Sequence, residues 1–303
     1  SYGHLSGDGR FNAFSTTRNV IDGVSDGDDC YIYDSLTGTT TDIHVNNLGI
    51  SANNTCYIAK LSHYGRYVAI ASNSTTLTTP GGGTSLFIRD MVTGVTEPVK
   101  TVDGTGVSGV HYDEDFHISG NGRYIAVYSD TPFSQGDYTG AQWHLFDTQT
   151  KSSELISISP SDQLLTATTF SGISNDGREI LFVHYLGGIS RVYLRDFDSQ
   201  TTSQVAIYSG ATRCRMSSDA RFFACSGQGL GGYMVELRDT MLGQSRVLPW
   251  SVSGQNVPNA SIGSWMEFSA SGEYLFMRSS CNNLIPDKWD TDNAFLRIHN
   301  PLY

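Results

Sequence analysis

The chain has 303 residues, 39% of them hydrophobic, and a formal net charge of −11. That supplies enough apolar surface for a packed core, while the acidic balance and the lack of any basic stripe exclude the phosphate backbone of nucleic acid as a main partner. No run of about 18 apolar residues occurs, so no membrane-spanning helix is expected, nor is a leader of charged then apolar residues expected before Ser1. Only 16% of residues are charged, against about 25% in an average soluble protein, and the abundant Gly, Ser, Thr and Asn favour turns and strands.

One phrase recurs along the chain: SGDGR from Ser6, SHYGR from Ser62, SGNGR from Ser119, SNDGR from Ser174, SSDAR from Ser217 and SASGE from Ser269. The spacing, 43 to 57 residues, is too even for chance and too long for leucine-rich or ankyrin repeats. After each copy comes an apolar or alternating run (FNAFS, YVAIAS, YIAVYS, EILFVHY, FFACS, YLFMRS), which reads as a strand by period and by its β-branched and aromatic content. A variable Gly- and Asp-rich loop follows, then a strand closing at Asp34, Asp90, Asp147, Asp196, Asp239 or, in the last unit, Asn300. The first five units add a further short strand, such as TDIHV or SELISI.

Within the phrase, Gly supplies the positive φ of a tight hairpin, Ser or Asp bonds the turn backbone, and Arg is placed to pair with a carboxylate on the adjacent strand. Four antiparallel strands repeated at this period predict an all-β fold, a six-bladed β-propeller of four-stranded antiparallel blades. It forms a single domain over residues 1–303, with blades near 1–52, 53–110, 111–165, 166–209, 210–258 and 259–303. The sixth unit shows no outer strand after FLRIHNPLY, so the last blade is expected to be incomplete, with an open edge that a partner strand can join.

The phrase S..DGR.IAF.S, with its following strand, Asp and TG or QT turn, resembles the TolB-type propeller repeat of bacterial periplasmic and secreted proteins, over nearly the whole chain. The SSCNNLIPDKWDTDNAFLRIHN segment is similar to the longer secreted variants of that repeat. Two positions depart from the pattern: Ala220 stands for the turn Gly and Glu273 for the Arg. The resemblance implies a fold and leaves function to the loops.

Those loops carry the candidate site. Acids cluster at Asp26 and Asp28 in the first unit and at Asp287, Asp290 and Asp292 in the last. Carboxylates at such spacing suit Ca²⁺, which takes six to eight oxygens in flexible loops, although no EF-hand pattern is present. In a closed ring the first and last blades are neighbours, so the two loops are expected side by side. Aromatic rings beside acids suit a sugar face or a protein hot spot: Trp289, Tyr138, Trp143 and Tyr112, with His111. His63, His111, His117 and His184 are candidates for convergence on the axis.

Enzyme signatures are sparse: there is no Gly-x-Ser-x-Gly elbow, His-Glu-x-x-His pair or phosphate-binding glycine loop. Of five cysteines, Cys214 and Cys225 flank one hairpin and are placed to face each other. With four Lys against fifteen Arg and a Ser/Thr/Asn-rich surface, this tilts the reading to a secreted, periplasmic or cell-surface protein. The function read from the sequence is a binding module for a glycan or protein partner at its loop face. The alternatives are a propeller-type polysaccharide lyase or glycoside hydrolase with an axial site, and a structural subunit of an extracellular assembly. For the calcium expectation, added Ca²⁺ raises the melting temperature and EDTA reverses it; identical melts in the two buffers remove calcium from the account.

Overall fold

Each copy of the phrase closes the same hairpin, bond for bond. In the computed structural model, which describes residues 3–18, 20–21, 29–78, 85–100, 104, 106–129, 141–166, 168–229, 232–248, 262–279 and 294–303, the N–H of Gly9, Gly65, Gly122, Gly177, Ala220 and Gly272 donates to the carbonyl of the phrase's Ser at 2.9–3.0 Å. The Ser hydroxyl accepts the N–H five residues on, again at 2.9–3.0 Å. Every one of the six turn residues has positive φ, which glycine adopts freely and other residues rarely do. Ala220 adopts it too, at +58°.

Between these turns run antiparallel strands in two compact units, Ser1–Ile156 and Ser157–Tyr303. The first unit holds three four-stranded sheets in sequential order. They comprise β1 (Gly3–Leu5), β2 (Phe11–Thr16), β3 (Asp29–Asp34) and β4 (Thr39–Asp42); β5 (Cys56–Leu61), β6 (Tyr67–Ser72), β7 (Leu86–Asp90) and β8 (Val95–Pro98); and β9 (Phe116–Ile118), β10 (Tyr124–Ser129), β11 (Gln142–Asp147) and β12 (Ser153–Leu155). The second unit has one seven-stranded sheet of β13 (Thr168–Ile173), β14 (Glu179–Leu186), β15 (Ile189–Asp196), β16 (Thr201–Met216), β17 (Phe222–Gly229), β18 (Gly232–Asp239) and β19 (Gln244–Val247). Its other sheet is three-stranded, β20 (Ile262–Phe268), β21 (Tyr274–Ser279) and β22 (Ala294–His299).

The expectation of six separate four-stranded blades is therefore corrected: among the described residues four sheets carry four or more strands. The cause is β16, whose first half pairs with β15 and whose second half pairs with β17, so two predicted blades share one continuous strand. Gly210, at the expected boundary between the fourth and fifth blades, has φ +77° in the stretch where the pairing of β16 with β17 shifts register. It donates to the Gly188 carbonyl at 2.7 Å, and the strand runs on through this bulge.

Sheets pack face to face through apolar side chains. Ile32 and Ile43 of the first sheet meet Leu61, Ile70 and Phe87 of the second; Leu86 and Ile88 of the second meet Phe116, Ile125 and Phe146 of the third. In the second unit Phe222 and Leu237 meet Met266, Leu275 and Met277. The turn glycines take part in this packing. A Cβ on Gly65 would come within 2.4 Å of the Phe11 ring, one on Gly122 within 2.2 Å of Tyr67, and one on Gly272 within 2.8 Å of Phe222. In these three joints the aromatic residue after the phrase's Arg lies against the turn glycine of the next copy.

The Arg folds back over that ring, with its guanidinium carbon 4.6 Å from the Phe11 centroid, 4.9 Å from Tyr67, 5.0 Å from Tyr124 and 4.6 Å from Phe222. Its far end binds the strand-closing carboxylate: Arg10–Asp34 at 2.7 Å, Arg66–Asp90 at 3.0 Å, Arg123–Asp147 at 2.6 Å and Arg221–Asp239 at 3.0 Å. In the fourth unit Arg178 reaches Asp198 instead. The last unit inverts the pair. His299, not Asn300, occupies the Asp register, opposite Tyr274 as Asp34 is opposite Phe11, and Glu273 stands in the Arg position 3.8 Å from it.

Two disulfides are formed: Cys214–Cys225 across the β16–β17 pair, as the sequence suggests, and Cys30–Cys56, which links the first two sheets. Cys281 lies outside the described residues. The glycine contacts make a sharp prediction. Gly9→Ala, with nothing within 4 Å of the added Cβ, meets only the positive-φ penalty of about 1 kcal/mol. Gly122→Ala adds a clash with Tyr67 and costs roughly 3 kcal/mol; equal urea midpoints for the two variants would refute the inter-sheet role of the glycine.

Candidate functional site

In the first unit, the opening strands of successive sheets lie beside one another, β1 against β5 and β5 against β9, and they bring together side chains far apart in sequence. Tyr57 of β5 meets His111 edge to face, ring centroids 5.0 Å apart, and His111 meets Tyr112 at 6.4 Å. Tyr112 is 72% exposed. Beside them a single 3₁₀ turn, Asp113–Asp115, leads into β9. Asp115 folds back to accept the backbone N–H of His111 at 3.0 Å and of Tyr112 at 2.8 Å, which fixes the aromatic pair in place. Asp113 and Glu114 face solvent.

Under this ledge Lys60 is buried. Its ammonium donates to the Asp113 carbonyl, pairs with the Asp113 carboxylate at 3.1 Å and lies 5.2 Å from the Phe116 ring centroid. Next to it His4 of β1 accepts the Leu61 N–H on Nδ1 at 3.1 Å. Burial, reinforced by the Lys60 charge and opposed by Asp113, pushes the His4 pKa down to about 4. The ledge is thus an exposed aromatic and acidic surface standing on a buried, neutralised cation.

A second polar constellation is sealed away. His44 Nδ1 lies 3.2 Å from Asp29 Oδ1, and Nε2 lies 2.8 Å from Ser72 Oγ. This has the residue order of an acyl-transfer relay, but Ser72 is 0% exposed, its hydroxyl is within bonding distance of the Thr55 carbonyl at 2.9 Å, and no substrate reaches it. Burial lowers the His44 pKa against the opposing pull of Asp29, and burial raises that of Asp42 beside it. The group is a buried staple between the first and second sheets.

Of the sequence candidates, His111 and Tyr112 come together on the ledge. Trp143 is buried in β11, its ring 5.5 Å from Tyr128 and 6.1 Å from His117, so it offers no face to a ligand. Trp289, Tyr138, Asp26, Asp28, Asp287, Asp290 and Asp292 lie outside the described residues. Among the described residues no group of three His, Cys, Asp or Glu side chains is placed to hold a metal. Of the candidate histidines, the three in the first unit, His63, His111 and His117, do not converge: His63 sits against Tyr64 in the Ser62 turn, at the opposite end of β5 from His111.

Sequence reading missed Tyr57, Lys60 and His4. The available signal was Lys60 itself, a lysine in the otherwise apolar run CYIAKL, in a chain with only four lysines; a charge at a core position of a strand is rarely there without a partner.

Comparison with known proteins bears on the fold. No family model and no curated sequence matches the chain. Among solved structures it is similar to TolB of Acinetobacter baumannii (TM-score 0.51, 14% identity, 91% of this chain and 61% of that one) and to a putative TolB of Agrobacterium tumefaciens (0.50, 15%, 89% and 83%). It is also similar to a structure described as one of two prolyl endopeptidases (0.60, 13%, 93% and 39%). The chain therefore spans under two thirds of the Acinetobacter protein. It has the TolB-type β-propeller fold, built of antiparallel sheets, and at these identities the likeness extends to fold alone.

The pKa pattern sets a pH dependence. His4 and His144 are held at about 4 by burial, and His44 is lowered as well, so between the ordinary value near 6.5 and pH 4 the unfolded chain takes up protons that the folded chain refuses. Stability is full above about pH 6.5 and declines as pH falls through that window. Asp90, Asp147 and Asp239 are held below the usual carboxylate range, with their Arg partners and turn N–H groups outweighing the opposing effect of burial, and they add a further loss below about pH 4. Melting curves from pH 7.5 to 4 check this, with His144→Gln flattening the upper part of the slope; a flat profile down to pH 4.5 contradicts it.

Proposed function

We propose that the chain is a binding propeller that recognises a cationic segment of a partner protein on the ledge of Tyr57, His111, Tyr112 and Glu114. The observation that carries this reading is Tyr112, a large aromatic ring 72% exposed, braced from below and flanked by carboxylates. The rings meet nearly at right angles, which suits a side chain inserted among them better than a flat sugar stacked across them. Acids beside exposed aromatic faces favour Lys or Arg through cation–π and charge, in keeping with the net charge of −11.

Export to an oxidising compartment belongs to the same reading, supported by the two disulfides and by the likeness to TolB. So does calcium in the acidic loops around Asp26 and Asp287, as an ion that would stiffen the loop face.

Fluorescence anisotropy with Lys- and Arg-containing octapeptides, run beside a neutral glycan array, tests the reading. Cationic peptides are expected to bind and to weaken with added salt. Tyr112→Ala is expected to reduce affinity about tenfold, and Glu114→Gln less. Binding indifferent to Tyr112→Ala, or hits confined to neutral glycans and insensitive to salt, overturns it.

A further inference from the structure

Two grooves of nearly equal size, about 360 and about 380 Å³, lie in the first unit, one between the first and second sheets and one between the second and third. They share a frame at equivalent positions: Phe11, Ile32 and Gly65 in the first, Tyr67, Ile88 and Gly122 in the second. Every turn at this end of the three sheets is among the described residues. The frame belongs to the inter-sheet joint, but the rest of each wall does not repeat. Tyr64, Met91 and Val92 line the first groove where Asn121, Thr148 and Gln149 line the second.

Two of these apolar residues displace polar ones that the same turns use elsewhere. In four copies the phrase's third residue accepts both the Ser hydroxyl and the Arg N–H: Asp8 at 2.6 and 3.1 Å, Asn121 at 2.7 and 2.9 Å, Asp176 at 2.6 and 3.0 Å, and Asp219 at 2.6 and 3.1 Å. Ser271 bonds the same two positions at 3.3 Å in the last copy. Tyr64 holds this place in the second copy and makes neither bond; it is 70% exposed. Met91 likewise stands where Ser35 and Thr240 donate to the carbonyl of the phrase's Arg, at 2.8 and 2.9 Å. Local rules of this kind are given up where a site uses the residue instead.

Cations rim the same groove. Arg10 grips Asp34 through Nε and Nη2, and Arg66 grips Asp90 in the same way, while Nη1 of each makes no bond among the described residues. The two side chains are 41% and 52% exposed. Two guanidiniums thus meet one carboxylate, Asp34, in the first groove, whereas Arg123 meets Asp90 and Glu97 in the second. Neighbouring grooves with one frame carry opposite charge.

We propose that the first groove binds the C-terminal residue of a partner polypeptide, with its aromatic or large aliphatic side chain against Tyr64 and Met91 and its carboxylate at Nη1 of Arg10 and Arg66. A chain terminus carries an apolar side chain and a carboxylate on the same Cα, which matches an apolar wall and a guanidinium rim within one groove. Tyr64 and Val92, 70% and 75% exposed, stand where the rest of the chain departs. The site follows β5 whereas Tyr57 of the ledge lies near that strand's start, and it does not depend on the ledge.

The test uses the full chain and a labelled peptide, Gly-Ser-Gly-Ser-Phe, with a free carboxylate, beside its C-terminal amide, the same peptide ending in Gly, and 3-phenylpropionate as competitor. Binding is followed by fluorescence anisotropy and located by hydrogen–deuterium exchange. The free acid is expected to bind and to slow exchange in 34–39 and 62–66, with the amide and the Gly-ended peptide at least tenfold weaker. Tyr64→Asp restores the cap of the other copies, so it is expected to keep or raise the melting temperature while weakening binding at least tenfold; Tyr112→Ala changes nothing. No binding of the free acid, equal binding of the amide, or unchanged affinity in Tyr64→Asp overturns the proposal. So does a loss in Tyr112→Ala, which places the peptide on the ledge, or 3-phenylpropionate binding as tightly as the peptide, which makes the ligand a small carboxylic acid and not a chain terminus.

Discussion

The contact on which the architecture rests is between a glycine with positive φ and an aromatic ring one repeat earlier. It fixes two things together. The missing Cβ lets the turn close with the chain in a left-handed conformation, and it lets the neighbouring sheet approach within a side-chain layer. Gly65 on Phe11, Gly122 on Tyr67 and Gly272 on Phe222 are three instances of one joint. The Arg of the same phrase covers the outer side of the ring and ties its far end to the strand-closing carboxylate, so five residues of local sequence specify a turn, an inter-sheet contact and an ion pair.

That economy explains what could be read in the sequence. The hairpins, their Arg–Asp partners and the Cys214–Cys225 pair follow from residues a few positions apart or at fixed repeat offsets, where turn chemistry and strand period determine the outcome. The number of separate sheets did not follow, because Gly210 carries the same signal whether the chain turns or bulges, and only pairing on both sides of β16 distinguishes the two. The ledge was half legible. His111 and Tyr112 lie in one conspicuous stretch, whereas Tyr57, Lys60 and His4 join them only through the adjacency of β1, β5 and β9. The register of the last unit misled for a local reason: Asn300 resembles the strand-closing Asp, but pairing with Tyr274 falls to His299.

Buried polar groups divide the first unit into two kinds of site. The Asp29–His44–Ser72 chain is sealed inside the protein, with Asp29 Oδ2 buried and unpartnered, and offers nothing outward, so its worth lies in joining sheets in one register. Lys60 is also buried, but its partner Asp113 is half in solvent and belongs to the turn that presents Tyr112. The first arrangement is closed, and the second transmits the rigidity of the core to a surface ring, which is what a hot spot needs to keep its entropy cost of binding low.

Propellers are commonly thought of as strings of interchangeable modules, copied, lost or swapped one at a time. The continuous β16 sets a limit on that here. Any recombination boundary placed between the fourth and fifth copies would fall inside a hydrogen-bonded strand and leave two sheets each with a severed edge, whereas boundaries in the connections after β4 or β8 would leave whole sheets. The shortest interval between phrases, 43 residues from Ser174 to Ser217, marks the place where the linker has vanished. Those two copies form one double module within a chain of single ones.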